Sequence, residues 1–138
     1  MTYLSIPTKV HQDDFSPDRG NALQACVASI FGMPLNDVPN FIAMPEGYEA
    51  AIKRFYLKQK KDGECIKIAT DDSCNSSIPE EYNGMFCMLR GKSPRGDFGH
   101  VVVAKYVSNK KFDMVHDPHP DGTFLDTKEA YGWCLFFL

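Results

Sequence analysis

Residues 20–31 read GNALQACVASIF, and this stretch decides the fold. Asn21 is a residue type favoured at helix N-caps, and the residues after it are strong helix formers or small residues on nearly every face. A helix that is apolar all round is a buried one. Gly32 and Pro34 come next, in the order that ends a helix. We therefore predict a buried helix over residues 22–31.

The segments after this helix predict a second helix and then several strands. Apolar residues three or four apart indicate one buried stripe on a helix over about residues 45–60. Residues 35–41 are predicted to form a short helical turn that Pro39 breaks. Alternating or valine-rich runs predict a hairpin that turns at Asn109 and Lys110, and they predict strands at 65–68, 85–89, 100–107, 111–115 and 133–138.

Helices first and antiparallel strands afterwards make an α+β domain, in which the buried N-terminal helix packs on a C-terminal antiparallel sheet. A length of 138 residues without an internal repeat suits a single domain over residues 1–138. The five cysteines include no CxxC pair, which disfavours a zinc ribbon or a thioredoxin-type site.

Composition narrows the function classes. The net charge of −3 argues against a nucleic-acid partner, because phosphate binding needs a concentrated basic face. Lys58, Lys60 and Lys61 cluster, but a solvated helix end explains them. Neither a signal peptide pattern nor an apolar run of about 18 residues is present, so we expect no membrane association. A cytoplasmic protein with free cysteines and no cofactor is the expectation.

The residue that opens the predicted helix stands where a cysteine hydrolase would carry its thiol. The amino end of a helix stabilises a thiolate through its partial positive charge, and its N–H groups can bind an oxyanion. Ala22 occupies this position and lacks the thiol. Cys26 lies one turn further along the same face, where it is interpreted first as a core residue and second as a displaced nucleophile.

Two residues far downstream can serve as a base and its partner. His100 starts the valine-rich strand, and Asp117 follows the next strand. If the two strands pair as a hairpin, Asp117 falls near His100, where a carboxylate fixes the imidazole tautomer and stabilises its cation. The plainer interpretations are a structural histidine on an apolar strand and an Asp-Pro pair that starts a turn.

Two further polar groups give weaker signals. Gln12 lies ahead of the helix, where its amide could donate to an oxyanion or could simply be solvated. His116, Asp117 and His119 invite a metal-site interpretation. Strand alternation places residues 116 and 117 on opposite faces, so we expect no metal.

Separated motifs occur in a fixed order along the chain: Gln12, Gly20-Asn21, Ala25-Cys26-Val27-Ala28-Ser29, Met33-Pro34-Leu35, Val38-Pro39-Asn40-Phe41, Gly99-His100 and His116-Asp117-Pro118-His119-Pro120. Together they resemble the C39-like branch of the papain-like cysteine peptidases, and more closely small bacterial and phage proteins of that type. The family pattern opens its helix with Gly-Asn-Cys, so this chain departs from it at Ala22. The resemblance covers both ends of the chain and leaves about residues 45–84 unassigned.

The resemblance implies a papain-like fold and a Cys-His-Asp site. By position, the nucleophile falls on Ala22, the base on His100, the carboxylate on Asp117, the oxyanion donor on Gln12 and a second, structural cysteine on Cys26. The implied activity is hydrolysis of an amide, peptide or related acyl bond through a thioester, with a small-molecule amide or a flexible protein tail as the substrate.

Three interpretations follow from the alanine at position 22. In the first, alanine has been introduced in place of the nucleophile of a cysteine hydrolase, and this chain is inactive. In the second, the protein is a natural pseudoenzyme that keeps the cleft and binds a small molecule or peptide without cleaving it. In the third, Cys26 is the working thiol of a shifted site.

Overall fold

The computed structural model describes residues 9–16, 20–70, 78–128 and 131–138, which form two α-helices and one sheet. The sheet has five strands in the order β1-β5-β2-β3-β4, and all neighbouring pairs are antiparallel. This arrangement confirms the α+β class, with a helix packed on an antiparallel sheet. The elements are α1 (Ala22–Phe31), α2 (Tyr48–Gln59), β1 (Cys65–Ala69), β2 (Phe86–Lys92), β3 (Gly99–Ser108), β4 (Lys111–His116) and β5 (Trp133–Phe137).

Helix α1 is buried along its length, as predicted. Every residue from 23 to 30 is buried, and the helix packs on β2 and β3. Its C-terminal end also follows the sequence signal. Gly32 adopts a φ of 66°, and the N–H of Met33 then donates to the carbonyl of Ala28 at 2.9 Å. Such a left-handed residue closes a helix and satisfies its last carbonyl groups.

Asn21 is the N-cap residue of α1, as predicted, but its side chain makes no capping hydrogen bond to the helix. Its Oδ1 instead accepts from the N–H groups of Asp13 and Asp14 at 3.0 and 2.9 Å. The amide therefore ties residues 9–16, here called the leading segment, to the start of the helix.

Two local predictions between the helices need correction. Helix α2 begins at Tyr48, later than expected, because Gly47 has a φ of 92°, which lies outside the helical region. The single broken turn predicted over 35–41 is instead two 3-10 turns, Leu35–Asp37 and Phe41–Ala43. Pro39 lies between them, where its ring and missing N–H prevent one continuous helix.

The sheet is covered on both faces. One core lies between the helices and the face that carries Met88 and Val103. The second core lies on the opposite face around Leu89, where Tyr82 and Leu125 of the connecting segments cover it. A strand buried on both faces has no polar side to expose. This explains why β3 is a nearly uninterrupted apolar run rather than an alternating one.

The hairpin of β3 and β4 forms where the sequence predicts it. Asn109 and Lys110 have φ values of 51° and 60°, the left-handed conformation of a two-residue turn that matches strand twist. Val103 pairs with His116 across the hairpin. The chain beyond β4 is therefore returned to the start of β3.

The cysteines are free and buried in the part of the chain that the structure describes: Cys26, Cys65, Cys87 and Cys134. Cys74 lies outside it. Burial raises the pKa of Cys65 to about 11 and that of Cys134 to about 12, so these thiols are poor nucleophiles. No described helix is long and apolar enough to cross a bilayer.

Candidate active site

A cleft of about 490 Å³ opens where the start of α1 meets the start of β3, and the leading segment contributes to its wall. Gln12, Ala22 and His100 all line it. Three residues that the sequence singled out are thus brought to one cavity from three distant parts of the chain. The remaining lining residues are Phe15, Ser16, Gly20, Leu23, Ile42, Tyr48, Arg90, Arg95, Phe98, Gly99, Val101, His119 and Trp133.

His100 and Asp117 form a buried hydrogen-bonded pair at this cleft. Nε2 of His100 lies 2.7 Å from Oδ1 of Asp117, and the two side chains are 5% and 1% exposed. The hairpin register produces this contact, since it returns residue 117 to the strand that begins with residue 99. Nδ1 of His100 has no hydrogen bond partner among the described residues. It is therefore the ring nitrogen available to a bound group.

The carboxylate of Asp117 is held in its charged form. Burial alone favours the neutral acid, but hydrogen bonds from His100 and from the N–H groups of His119 and Phe124 outweigh it and lower the pKa of Asp117. The two backbone bonds are 2.9 and 2.8 Å long. An ionised carboxylate bonded to Nε2 can fix the imidazole tautomer and stabilise an imidazolium.

The start of α1 presents backbone donors near position 22. The first hydrogen bond of the helix runs from the N–H of Ala25 to the carbonyl of Asn21 at 3.0 Å. The N–H groups of residues 22–24 precede it and have no helical partner. Ala22 is only half-buried and faces the cleft. A thiolate or an oxyanion at this point is stabilised by these donors and by the helix dipole.

Gln12 lies against the same cleft as an anchored, buried residue. Its exposed fraction is 7%, and its N–H donates to the carbonyl of Pro118 at 2.9 Å. Its side-chain Nε2 donates to the carbonyl of Asp14 at 3.0 Å. This bond uses one of the two amide hydrogens, so the group keeps a second donor. The solvated interpretation of this glutamine is wrong.

Cys26 is packed in the core. It is fully buried and does not line the cleft, and its Sγ lies 3.5 Å from the carbonyl oxygen of Val101. Burial and, to a smaller extent, the charge of Asp117 raise the pKa of Cys26 well above its ordinary value. These surroundings favour the packing interpretation of this thiol over the displaced nucleophile.

The two other histidines of the predicted cluster point to different partners. Nε2 of His116 lies 2.7 Å from the carbonyl of Val10, and burial is the main cause that lowers the pKa of His116. His119 lines the cleft, where its Nδ1 accepts from the N–H of Asp121 at 3.1 Å. No described group of three or more His, Cys, Asp or Glu residues is placed to hold a metal ion.

Several cleft residues carry no signal that the sequence analysis used. Arg90 and Arg95 add two cations, and Tyr48, Phe98 and Trp133 add aromatic surface. Arg90 had a usable signal, because it is a charged residue at the end of the apolar run of β2. The aromatic residues had none, since tyrosine, phenylalanine and tryptophan are ordinary residues of strands and cores.

Comparisons of the chain with protein-family models, with curated proteins and with solved structures found no match. The function is therefore argued from the geometry of the cleft. That geometry combines a bonded imidazole and carboxylate, the amino end of a buried helix and an alanine that lines the cavity with the imidazole.

Proposed function

We propose that this protein carries a Cys-His-Asp hydrolase site on a papain-like fold. With alanine at position 22, we propose that it binds an amide or related acyl ligand without cleaving it. The observation that carries the proposal is the bond of 2.7 Å between His100 and Asp117 beside the cleft that Ala22 lines. The resemblance to C39-like cysteine peptidases supports the same assignment of roles.

A cysteine at position 22 would make this arrangement a hydrolase. Nδ1 of His100 would take the thiol proton, and the thiolate would attack the carbonyl carbon of the ligand. The N–H groups at the helix start, with Gln12, would stabilise the oxyanion. The amine would leave with the proton from His100, and water activated by the same base would hydrolyse the thioester. With the methyl group of alanine at position 22, this series of reaction steps stops before the first bond forms.

The cleft limits the ligand to a small amide or a few residues of a peptide. A volume of about 490 Å³ falls in the usual range for small-molecule pockets, roughly 300–1,000 Å³. Phe15, Ile42 and Phe98 are exposed apolar side chains at its rim. We therefore propose a ligand that places an apolar group at the rim and its carbonyl near Ala22.

The test restores the thiol and measures its reactivity. In Ala22→Cys, we expect iodoacetamide to alkylate residue 22, with a pH midpoint below the ordinary thiol pKa of about 8.5. Adding His100→Gln should raise that midpoint, because the imidazolium no longer stabilises the thiolate. Peptide mass mapping separates residue 22 from the native cysteines.

Ser16→Cys is the matched control, since Ser16 is exposed and lines the same cleft, and its hydroxyl donates to Oδ1 of Asp14 at 2.6 Å. Its thiol should titrate at or above the ordinary value, because the neighbouring carboxylate disfavours a thiolate. Two results would contradict the proposed site. One is an equal pH midpoint for the thiols at positions 16 and 22, and the other is a midpoint at position 22 that His100→Gln does not change.

A further inference from the structure

Arg90 is a cation at the cleft without an ionic partner in the described part of the chain. Its exposed side chain makes no ion pair and no hydrogen bond to another described residue. Arg95, the other arginine of the cleft, is already engaged, since its Nη1 lies 3.0 Å from Oδ1 of Asp121 and 2.8 Å from Oγ1 of Thr123. Arg90 also lines a second hollow of about 310 Å³ beside the cleft. Its guanidinium is therefore open to a ligand from two sides.

The lack of a side chain at Gly99 makes room for this guanidinium at the cleft. A Cβ atom at residue 99 would come within 2.6 Å of Cζ of Arg90, closer than such atoms approach. Gly99 therefore leaves the space that the guanidinium fills. Arg90 and His100 both line the cleft of about 490 Å³, so one small ligand bound there can reach both side chains.

The walls next to Arg90 are aromatic. Trp133 is its cross-strand partner on β5, and the rings of Trp133 and Tyr48 stack with centroids 5.8 Å apart and an interplanar angle of 13°. Phe98 also lines the cleft and is 55% exposed. A guanidinium flanked by aromatic faces suits a ligand that joins an anion to an apolar group.

The charge of the cleft also favours an anion. Its described lining includes two arginines and two histidines but neither aspartate nor glutamate, although the whole chain has a net charge of −3. Asp97 lines the second hollow but lies beyond ion-pair distance of Arg90. Because Asp121 already pairs with Arg95 and the carboxylate of Asp117 with His100, the attraction of the cleft for an anion depends on the guanidinium of Arg90.

We infer that the ligand is an amide that carries a carboxylate, with Arg90 binding the carboxylate and the aromatic walls packing against an adjacent apolar group. Only the amide part of this inference rests on the proposed function. The carboxylate site is independent of the residue at position 22, so it is testable in the protein as it stands.

The test compares two probes that differ in one group, N-acetyl-phenylalanine and its neutral primary amide. Binding is followed by the fluorescence of Trp133, the single tryptophan of the chain, and by the backbone amide signals of Gly99 and His100 in NMR. We expect the acid to bind at least about tenfold more tightly than the amide, because a bidentate guanidinium–carboxylate bond is charge-assisted.

Three variants assign the effect to Arg90. In Arg90→Gln, the acid and the amide should bind with about equal affinity. Arg90→Lys should keep part of the preference for the acid, because lysine keeps the charge but not the planar pair of donors. Arg54→Gln is the matched control, since Arg54 is exposed on α2, pairs with Glu46 and does not line the cleft. It should keep the full preference. Circular dichroism checks that each variant is folded.

Gly99→Ala provides an independent variant if Arg90→Gln does not fold. It should displace the guanidinium and weaken binding of the acid while leaving the charge in place. Equal affinity for the two probes, binding of neither, or an undiminished preference in Arg90→Gln would overturn the carboxylate site. If the carboxylate site fails but His100 activates a thiol at position 22, only the carboxylate site is refuted. If the carboxylate site holds but the thiol at position 22 is not activated, only the hydrolase site is refuted.

Discussion

Replacing Asp117 by asparagine tests whether the carboxylate is the group that organises the site. The two residues have the same shape, but asparagine is neutral and has a single acceptor oxygen. Oδ1 of Asp117 bonds to His100 and to the N–H of His119, and Oδ2 accepts from the N–H of Phe124. In Asp117→Asn, an NH₂ group must face one of these donors.

The contacts of Asp117 give the size of the expected loss of stability. At least one hydrogen bond to a charged acceptor disappears, and such bonds contribute about 1.5–3 kcal/mol. One partly buried N–H is also left without an acceptor, which adds about 1–3 kcal/mol at most. Because the neighbours relax in part, we expect Asp117→Asn to lower the free energy of unfolding by about 2–4 kcal/mol at neutral pH.

The loss of stability in Asp117→Asn should become smaller as the pH falls. The pKa of Asp117 is lowered in the folded state, so the unfolded chain binds this proton more tightly than the folded protein does. The stabilisation by the carboxylate is fully present above the unfolded pKa of about 3.9, and it disappears as the pH falls through the folded value. The difference between the parent protein and Asp117→Asn should therefore narrow below about pH 4.

Urea unfolding at pH 7 and at several values below pH 4, followed by the fluorescence of Trp133, measures this difference. Asp113→Asn is the matched control, because Asp113 is exposed on β4 and its substitution should change stability by less than about 0.5 kcal/mol. A loss in Asp117→Asn as small as in this control, or a gap that is constant with pH, would refute the reasoning.

Three further predictions concern other parts of the fold. Lys110→Gly should stabilise the protein by about 0.5–1 kcal/mol in thermal unfolding, because Lys110 has a φ of 60° that glycine adopts without strain; an unchanged melting temperature would contradict this. His116 has a pKa lowered chiefly by burial, so the unfolded chain takes up its proton first and stability falls as the pH drops below about 6.5. His116→Gln should flatten that fall in urea unfolding, and an equal fall in both proteins would count against it. Mass mapping after thiol labelling should find Cys26 unmodified in the native protein and modified in urea, whereas native labelling would reopen its role as a nucleophile.

The features predictable from the sequence are those that neighbouring residues determine. The structure contains three features that each depend on a few adjacent residues: the mostly apolar helix α1, the glycine at its C-terminal end and the turn at Asn109 and Lys110. The approach of Asp117 to His100 follows from the same hairpin by counting residues across the turn. This part of the site was therefore predictable.

The remaining features depend on partners far apart in sequence. The side chain of Asn21 prefers the N–H groups of the leading segment to its own helix, and no local signal distinguishes the two. The position of β5 between β1 and β2 likewise depends on strand pairing across the whole sheet. That position sets Trp133 beside Arg90, so the aromatic and cationic part of the cleft could not be predicted from the sequence.

The contacts around the cleft join residues from nearly opposite ends of the described chain. His116 bonds to the carbonyl of Val10, Gln12 bonds to that of Pro118, and Trp133 completes the wall beside Arg90. Sites closed by such distant contacts form late in folding, because the loop-closure entropy must be overcome first. During synthesis on the ribosome, ligand capture must therefore wait until residue 133 has emerged, and a nascent chain stalled before that point should be unable to bind.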